Sequence, residues 1–229
     1  MSFNIGLMLF PNLTQLDLTG PWEVFARMPN ANNYLIWKDR QPVMSDRGLA
    51  IVPTVTFTDC PQLDLICIPG GPGQIALMDD DETLDFVRRM AENAKWVTSV
   101  CTGSLILGAA GLLQGYRATS HWGSLDQLSL LGATPVAERV VRDRNRITGA
   151  GVTSGIDFAL TVAEELLGRE IAENIQLQME YDPAPPFHSG SPRSASPQRL
   201  AEAKSQMQDF IARRRAATES AAARLKREE

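Results

Sequence analysis

Helices layered on both faces of a mostly parallel β-sheet, an α/β sandwich, is the architecture that this 229-residue sequence predicts. Three observations predict it. Short apolar, β-rich runs recur along the chain, helical patterns lie between them, and each run gives way to glycine or to a helix-starting residue. Phe3 to Phe10 is an apolar stretch ending at Pro11, which suits a strand buried on both faces. A helical pattern follows over Pro21 to Met28. Gly48 to Phe57 alternates and carries Pro53, as an edge strand or hairpin does. Leu63 to Pro69 and Trp96 to Val100 read as parallel core strands. Glu82 to Ala94 and Thr102 to Leu113 read as helices. Arg139 to Asp143 and Asn145 to Thr148 form two short strands around a charged turn, and Gly149-Ala150-Gly151 leads into a helix over Val152 to Leu167. There Leu160, Ala163, Glu164 and Leu167 fall at three-to-four spacing. Beyond Tyr181 the chain is dense in Pro, Ser and Gly, the composition of an extended loop or linker. A final helix follows over Pro197 to Glu229. Residues 1–182 therefore make the α/β domain, and residues 183–229 a loop and helix packed on it.

Composition excludes several function classes. Hydrophobic residues at 44% and charged residues at 21% leave enough apolar surface for a core, so the body is not disordered. No apolar run is long enough to cross a bilayer, and the N-terminus reads as a strand, so a cytoplasmic protein is expected. Cys60, Cys67 and Cys101 are odd in number and lack CxxC spacing, and only His121 and His188 are present. A disulfide framework, a zinc site and metal-dependent hydrolysis are all disfavoured. The net charge of −5 conceals a basic final segment at +3 and a body at −8. In that segment Ala201, Met207, Phe210, Ile211, Ala221 and Leu225 suggest a packing stripe with a solvated charged face, which argues against nucleic-acid binding.

The chemistry concentrates at Val100-Cys101-Thr102-Gly103-Ser104, where a strand passes abruptly into a helix. A nucleophile on such an elbow is lifted clear of the sheet's carboxyl edge, and the following helix aims its free N–H groups at the sulfur. A thiol of ordinary pKa is only about 3% thiolate at pH 7, so a depressed pKa would matter. Cys60 and Cys67 suit inert packing roles. Two more loops converge on the same edge. Pro69-Gly70-Gly71-Pro72-Gly73 is either a tight turn or an oxyanion hole; Pro72 has no N–H, so Gly70 or Gly71 would donate. Asp17 and Thr19 either cap the helix beginning near Pro21 or bring a carboxyl group beside the thiol, with Glu23 the competing carboxylate.

DLTGPWEVF, ICIPGG, SVCTGSLILGAAGLLQG, RATSHW and ITGAGVTSGIDFAL, in that order, resemble the ThiJ/PfpI superfamily over roughly residues 3 to 180. The ending LQMEYDPAPPFHSGSP brings the chain nearest to the isocyanide-hydrating branch, which ends in a short helix. The resemblance implies a flavodoxin-like three-layer fold with a nucleophile elbow, and usually a homodimer. It implies Cys101 as nucleophile, Asp17 as acid and base, and Thr102 beside the sulfur. It further implies that the Gly70 and Gly71 amides face the site and that Val152 starts the helix approaching the cysteine. Trp122 is expected in the pocket, and His121 to make a structural hydrogen bond near it. In the PfpI-type proteases a histidine directly follows the cysteine; Thr102 stands there, which argues against a Cys–His dyad. Related regulators fuse this domain to a helix-turn-helix module, for which the 45 or so residues after the body are too few. The implied reaction is hydration of an isocyanide to an N-substituted formamide through a thioimidate, with water as co-substrate and no cofactor. The alternatives are a glyoxalase- or deglycase-like reaction, a cysteine redox sensor and a ligand-sensing module.

Overall fold

A computed structural model describes residues 2–228. The elements run β1 (Phe3–Met8), α1 (Gln15–Phe25), β2 (Ala31–Trp37), β3 (Val43–Met44), β4 (Ala50–Ile51), β5 (Val55–Thr56), β6 (Leu65–Ile68) and α2 (Gln74–Leu77). They continue with α3 (Asp81–Asn93), β7 (Trp96–Val100), α4 (Gly103–Ala109), β8 (Arg117–Ala118), a 3₁₀ helix (Trp122–Leu131) and β9 (Thr134–Pro135). Last come β10 (Val140–Asp143), β11 (Arg146–Gly149), α5 (Ser154–Leu167), α6 (Arg169–Gln178) and α7 (Pro197–Glu228).

Seven strands pair in the order β10-β11-β7-β6-β1-β2-β5. β10 runs antiparallel to β11, and the other pairings in this sheet are parallel. The fully buried β6 and β11, with Val97–Val100 of β7, explain the unbroken apolar character that marked the core strands. β2 and β5 extend the sheet to one side of β1, and β6, β7 and β11 to the other. Such a switch point opens a crevice at the carboxyl ends of the strands. The loops that follow β1, β6, β7 and β11 all reach it.

Helices cover the sheet in two groups. α1, α5 and α6 pack together, with Phe25 and Phe158 edge-to-face at 6.3 Å. α3, α4, the 3₁₀ helix and α7 make the second group. There Phe57 and Phe86 stack at 4.1 Å. Asp80 caps α3 by accepting from the Thr83 N–H at 3.4 Å, and Asp81 and Glu82 favour the positive end of its dipole.

Several boundaries differ from those the sequence predicts. The first helix begins at Gln15 and carries Pro21 inside it, so the carbonyl of Asp17 loses its usual partner four residues on. α4 stops at Ala109 because Gly111 takes φ +77° and turns the chain away. The 48–57 segment divides between roles: β4 pairs with β3 as a small hairpin, and β5 forms the edge of the main sheet. β2 and α6 lie where the sequence reading places nothing. Asn32 and Asn33 interrupt the apolar pattern of β2, and α6 is largely exposed.

The final helix is 32 residues long and packs against the 3₁₀ helix, α4 and α2. Arg215 pairs with Asp126 and Arg224 with Asp79. Ala221 is buried, and Met207, Phe210, Ile211 and Leu225 are half-buried, but Ala201 is exposed and outside the stripe. Arg214 and Thr218 occupy buried places on it instead. No helix among the described residues is long and apolar enough to cross a membrane.

Candidate active site

Cys101 joins β7 to α4 with φ +55°. That left-handed conformation costs a residue bearing a Cβ about 1–2 kcal/mol, so its surroundings must hold it. They do so through the backbone. The Cys101 N–H donates to the Gly149 carbonyl at 3.0 Å, and the Ser104 and Ser120 hydroxyls each donate to the Cys101 carbonyl at 3.1 Å. The side chain is 5% exposed.

Asp17 lies in the first turn of α1, fully buried, and its Oδ2 accepts the Gly70 N–H at 2.9 Å. It is not the cap of a helix starting near Pro21, because the helix has already begun. Burial pushes its carboxyl up to about 7, opposed by hydrogen bonds from Cys101 and Gly70 and reinforced slightly by Asp46. Burial also pushes the Cys101 thiol well above its ordinary value, and the charge of Asp17 adds to that. The Thr102 N–H and Arg214 pull it back. Desolvation therefore works against the free thiolate that the helix position alone suggests. Sulfur and carboxyl instead form a pair between which a proton can pass. Glu23 is exposed and pairs with Arg27 at 2.5 Å, which removes it as the competing carboxylate.

The glycine loop has a different task from the predicted one. Its Gly70 N–H is taken by Asp17, and the Gly71 N–H donates to Thr102 Oγ1 at 3.1 Å. The two amides fix the acid and the neighbour of the nucleophile, so they are not vacant oxyanion donors. Space is the reason for glycine at 70: a Cβ would stand 2.6 Å from the Thr102 nitrogen and 2.8 Å from Asp17 Oδ2. Gly70→Ala is therefore expected to cost about 1–3 kcal/mol. It should also slow alkylation of Cys101, and thermal melting with a timed iodoacetamide assay checks both.

His121 is half-buried and its Nδ1 accepts the Gly123 N–H at 3.2 Å, capping the 3₁₀ helix as a structural hydrogen bond should. Burial and the nearby Arg214 lower its pKa to about 4, so the ring is neutral near pH 7. Trp122 sits beside it, ring centroids 5.5 Å apart. The His121 Cδ2 faces Gly151, which places the imidazole by the turn that carries Val152. That turn follows Gly149, the anchor of the Cys101 amide, although α5 itself starts two residues later, at Ser154. Cys60 and Cys67 are free, with burial raising them to about 11 and about 12, as inert thiols should be.

The sequence reading misses Ser120, Gln74, Ser124 and Arg214. A solvated charged face would leave this arginine in water, yet it is 5% exposed. Its signal was present: 207, 211, 214, 218, 221 and 225 continue one helical stripe. Among the described residues, no three His, Cys, Asp or Glu side chains gather to hold a metal ion. What the site can do is add a sulfur nucleophile to a small electrophile while a carboxyl moves the proton.

The chain matches the DJ-1/PfpI family over residues 4–165. It is 56% identical over 225 residues to a protein of Pseudomonas putida named isonitrile hydratase, covering 98% of this chain and 99% of that one. A solved ThiJ/PfpI family protein from Pseudomonas syringae superposes with a TM-score of 0.93 at 47% identity, covering 95% of this chain and 91% of that one. The HTH-type transcriptional regulator GbdR of Pseudomonas aeruginosa is 30% identical over 189 residues, which span 78% of this chain and 51% of the regulator.

Proposed function

Since the chain belongs to the DJ-1/PfpI family and sets a cysteine elbow against a buried carboxyl, we propose that it hydrates isocyanides to N-substituted formamides. The observation that carries the reading is the Cys101–Asp17 pair. The full-length likeness to the isonitrile hydratase of Pseudomonas putida supplies the substrate class.

The terminal carbon of R–N≡C accepts a nucleophile and a proton on the same atom. Asp17 takes the thiol proton as the Cys101 sulfur adds to that carbon, and returns it to the carbon, giving the thioimidate R–N=CH–S. Water then adds to the thioimidate carbon, with Asp17 receiving its proton and passing it to nitrogen. The adduct R–NH–CH(OH)–S collapses to R–NH–CHO as the sulfur leaves with the hydroxyl proton. The Thr102 N–H faces the sulfur and eases its departure. A carboxyl held near 7 suits both directions of transfer, because neither protonation state is far in energy from the other. Val152, Trp122 and the neutral His121 supply the apolar wall that a substrate with almost no hydrogen-bonding handle requires.

The buried, raised thiol weighs against a redox sensor, whose cysteine is exposed and acidic. The glyoxalase-like alternative is tested directly: formamide formation from an aromatic isocyanide, followed by ultraviolet absorbance, should far exceed turnover of methylglyoxal under the same conditions. The reverse preference would replace the reading by a glyoxalase. We also propose a homodimer working in the cytoplasm. Three unpaired cysteines support a reducing compartment, and the family resemblance supports the dimer.

A further inference from the structure

The basic triplet of α7 divides sharply. Arg213 is exposed and Arg215 reaches Asp126 at the surface, but Arg214 points inward and is 5% exposed. Its Nε donates to Gln74 Oε1 at 2.9 Å and its Nη1 to Ser124 Oγ at 2.9 Å, and the guanidinium lies 4.5 Å from the Phe210 ring centre. These partners are all neutral, and no ion pair to Arg214 is found among the described residues. A guanidinium does not give up its proton, so the fold carries a buried positive charge without a standing counter-charge.

Its two hydrogen-bond partners stand on the segments that continue from the loops contacting the elbow, Gly71 at Thr102 and Ser120 at Cys101. Gln74 opens α2 directly behind the Gly70-Gly71 loop, and Ser124 follows the segment in which Ser120 holds the Cys101 carbonyl. The group able to supply negative charge there is the Cys101 sulfur, which the nearby Arg214 favours in its ionised form. The other titratable groups acting on this pair are Asp17 from α1, with Asp46 behind it, and His121 at the start of the 3₁₀ helix. Asp17 opposes a charge on sulfur, and His121 is neutral. Arg214 is then the cation of the cluster.

We propose that Arg214 is a positioning residue of the active site, delivered by the C-terminal helix to hold the negative charge that develops on the Cys101 sulfur. The cost of burying the guanidinium is offset at the moment the sulfur becomes anionic, both on attack and on departure from the thioimidate adduct. The proposal rests on Cys101 as the nucleophile. It does not depend on which electrophile the site takes.

The test is the pH dependence of Cys101 alkylation by iodoacetamide in the intact protein, read by peptide mapping, for wild type, Arg214→Gln and Arg214→Lys. Arg214→Gln should move the midpoint up by about one pH unit, which is about tenfold in rate below it. Arg214→Lys should stay within about 0.3 unit of wild type, because the charge remains although the fork to Gln74 and Ser124 is lost. A melting temperature that falls in Arg214→Gln with an unmoved midpoint would overturn the proposal and leave Arg214 as an anchor of α7. Should Arg214→Gln not fold, Arg214→Met is read in its place against Arg214→Lys: an alkaline shift of about one unit in the former alone supports the proposal, and equal midpoints overturn it. Because alkylation reads the thiol directly, a protein that hydrates no isocyanide would still show the shift, so the two readings fail separately.

Discussion

Cys101→Ala is expected to abolish formamide formation, lowering kcat by at least about 10⁴-fold to the uncatalysed background. The removed sulfur is the atom that bonds to carbon, and no other thiol can take its place. Cys67 is buried and raised to about 12, and Cys60 is raised to about 11 in a loop before β6, away from the elbow. The fold should survive, since alanine tolerates the elbow no worse than cysteine and the three backbone hydrogen bonds at 101 remain. Rapid-quench mass spectrometry of the wild type with a slow isocyanide should show one substrate mass on the Cys101 peptide. Formamide production that persisted in Cys101→Ala would rule out the covalent route.

Asp17→Asn should separate activity from stability. Turnover should fall by about 10²–10⁴-fold, the usual worth of a positioned acid–base group, and the acid limb of the kcat/KM profile near pH 7 should vanish with it. Stability should move the other way. The carboxyl ionises at 3.8 in the unfolded chain but at about 7 in the folded one, so the unfolded state gives up its proton first. Its stabilising contribution is complete below pH 4 and is lost as pH rises from there through about 7, an effect of about 4 kcal/mol. An asparagine side chain can still accept the Gly70 N–H without ever carrying charge. Urea denaturation should therefore find Asp17→Asn more stable than wild type at pH 8, with the difference shrinking towards pH 4. Parallel stability curves for the two proteins would sink the assignment of the raised carboxyl.

Both effects turn on residues that the sequence exposes to different degrees. Cys101 was legible because a β-rich run and a helical pattern meet at it, and that local switch is what a left-handed elbow demands. Asp17 was legible only as one of two readings, because the strand-to-helix boundary before it was misplaced at Pro21. A proline normally opens a helix, and nothing local says that this one sits in a helix begun at Gln15. The Gly70-Gly71 pair was found, but its use was not, since the acceptors of its amides lie 53 and 31 residues away. β2 escaped because two asparagines break its pattern, and it is pairing with β1 and β5 that makes it a strand. Arg214 escaped for a different reason: a charged residue on an apolar stripe reads as surface until the interior it enters is known.

The consequence of the glycine dipeptide reaches beyond hydrogen bonding. Asp17 and Thr102 belong to helices on different strands, and in a breathing sheet their spacing would drift. Here each hangs from one of two successive amides, so the gap between the acid and Thr102, the residue next to the nucleophile, is gauged by a ruler one peptide unit long, about 3.8 Å between α-carbons. Motion of the loop carries both marks together. The tolerance of the chemistry is thereby set by covalent geometry, the stiffest material the chain possesses, and not by the compliance of the layers around it.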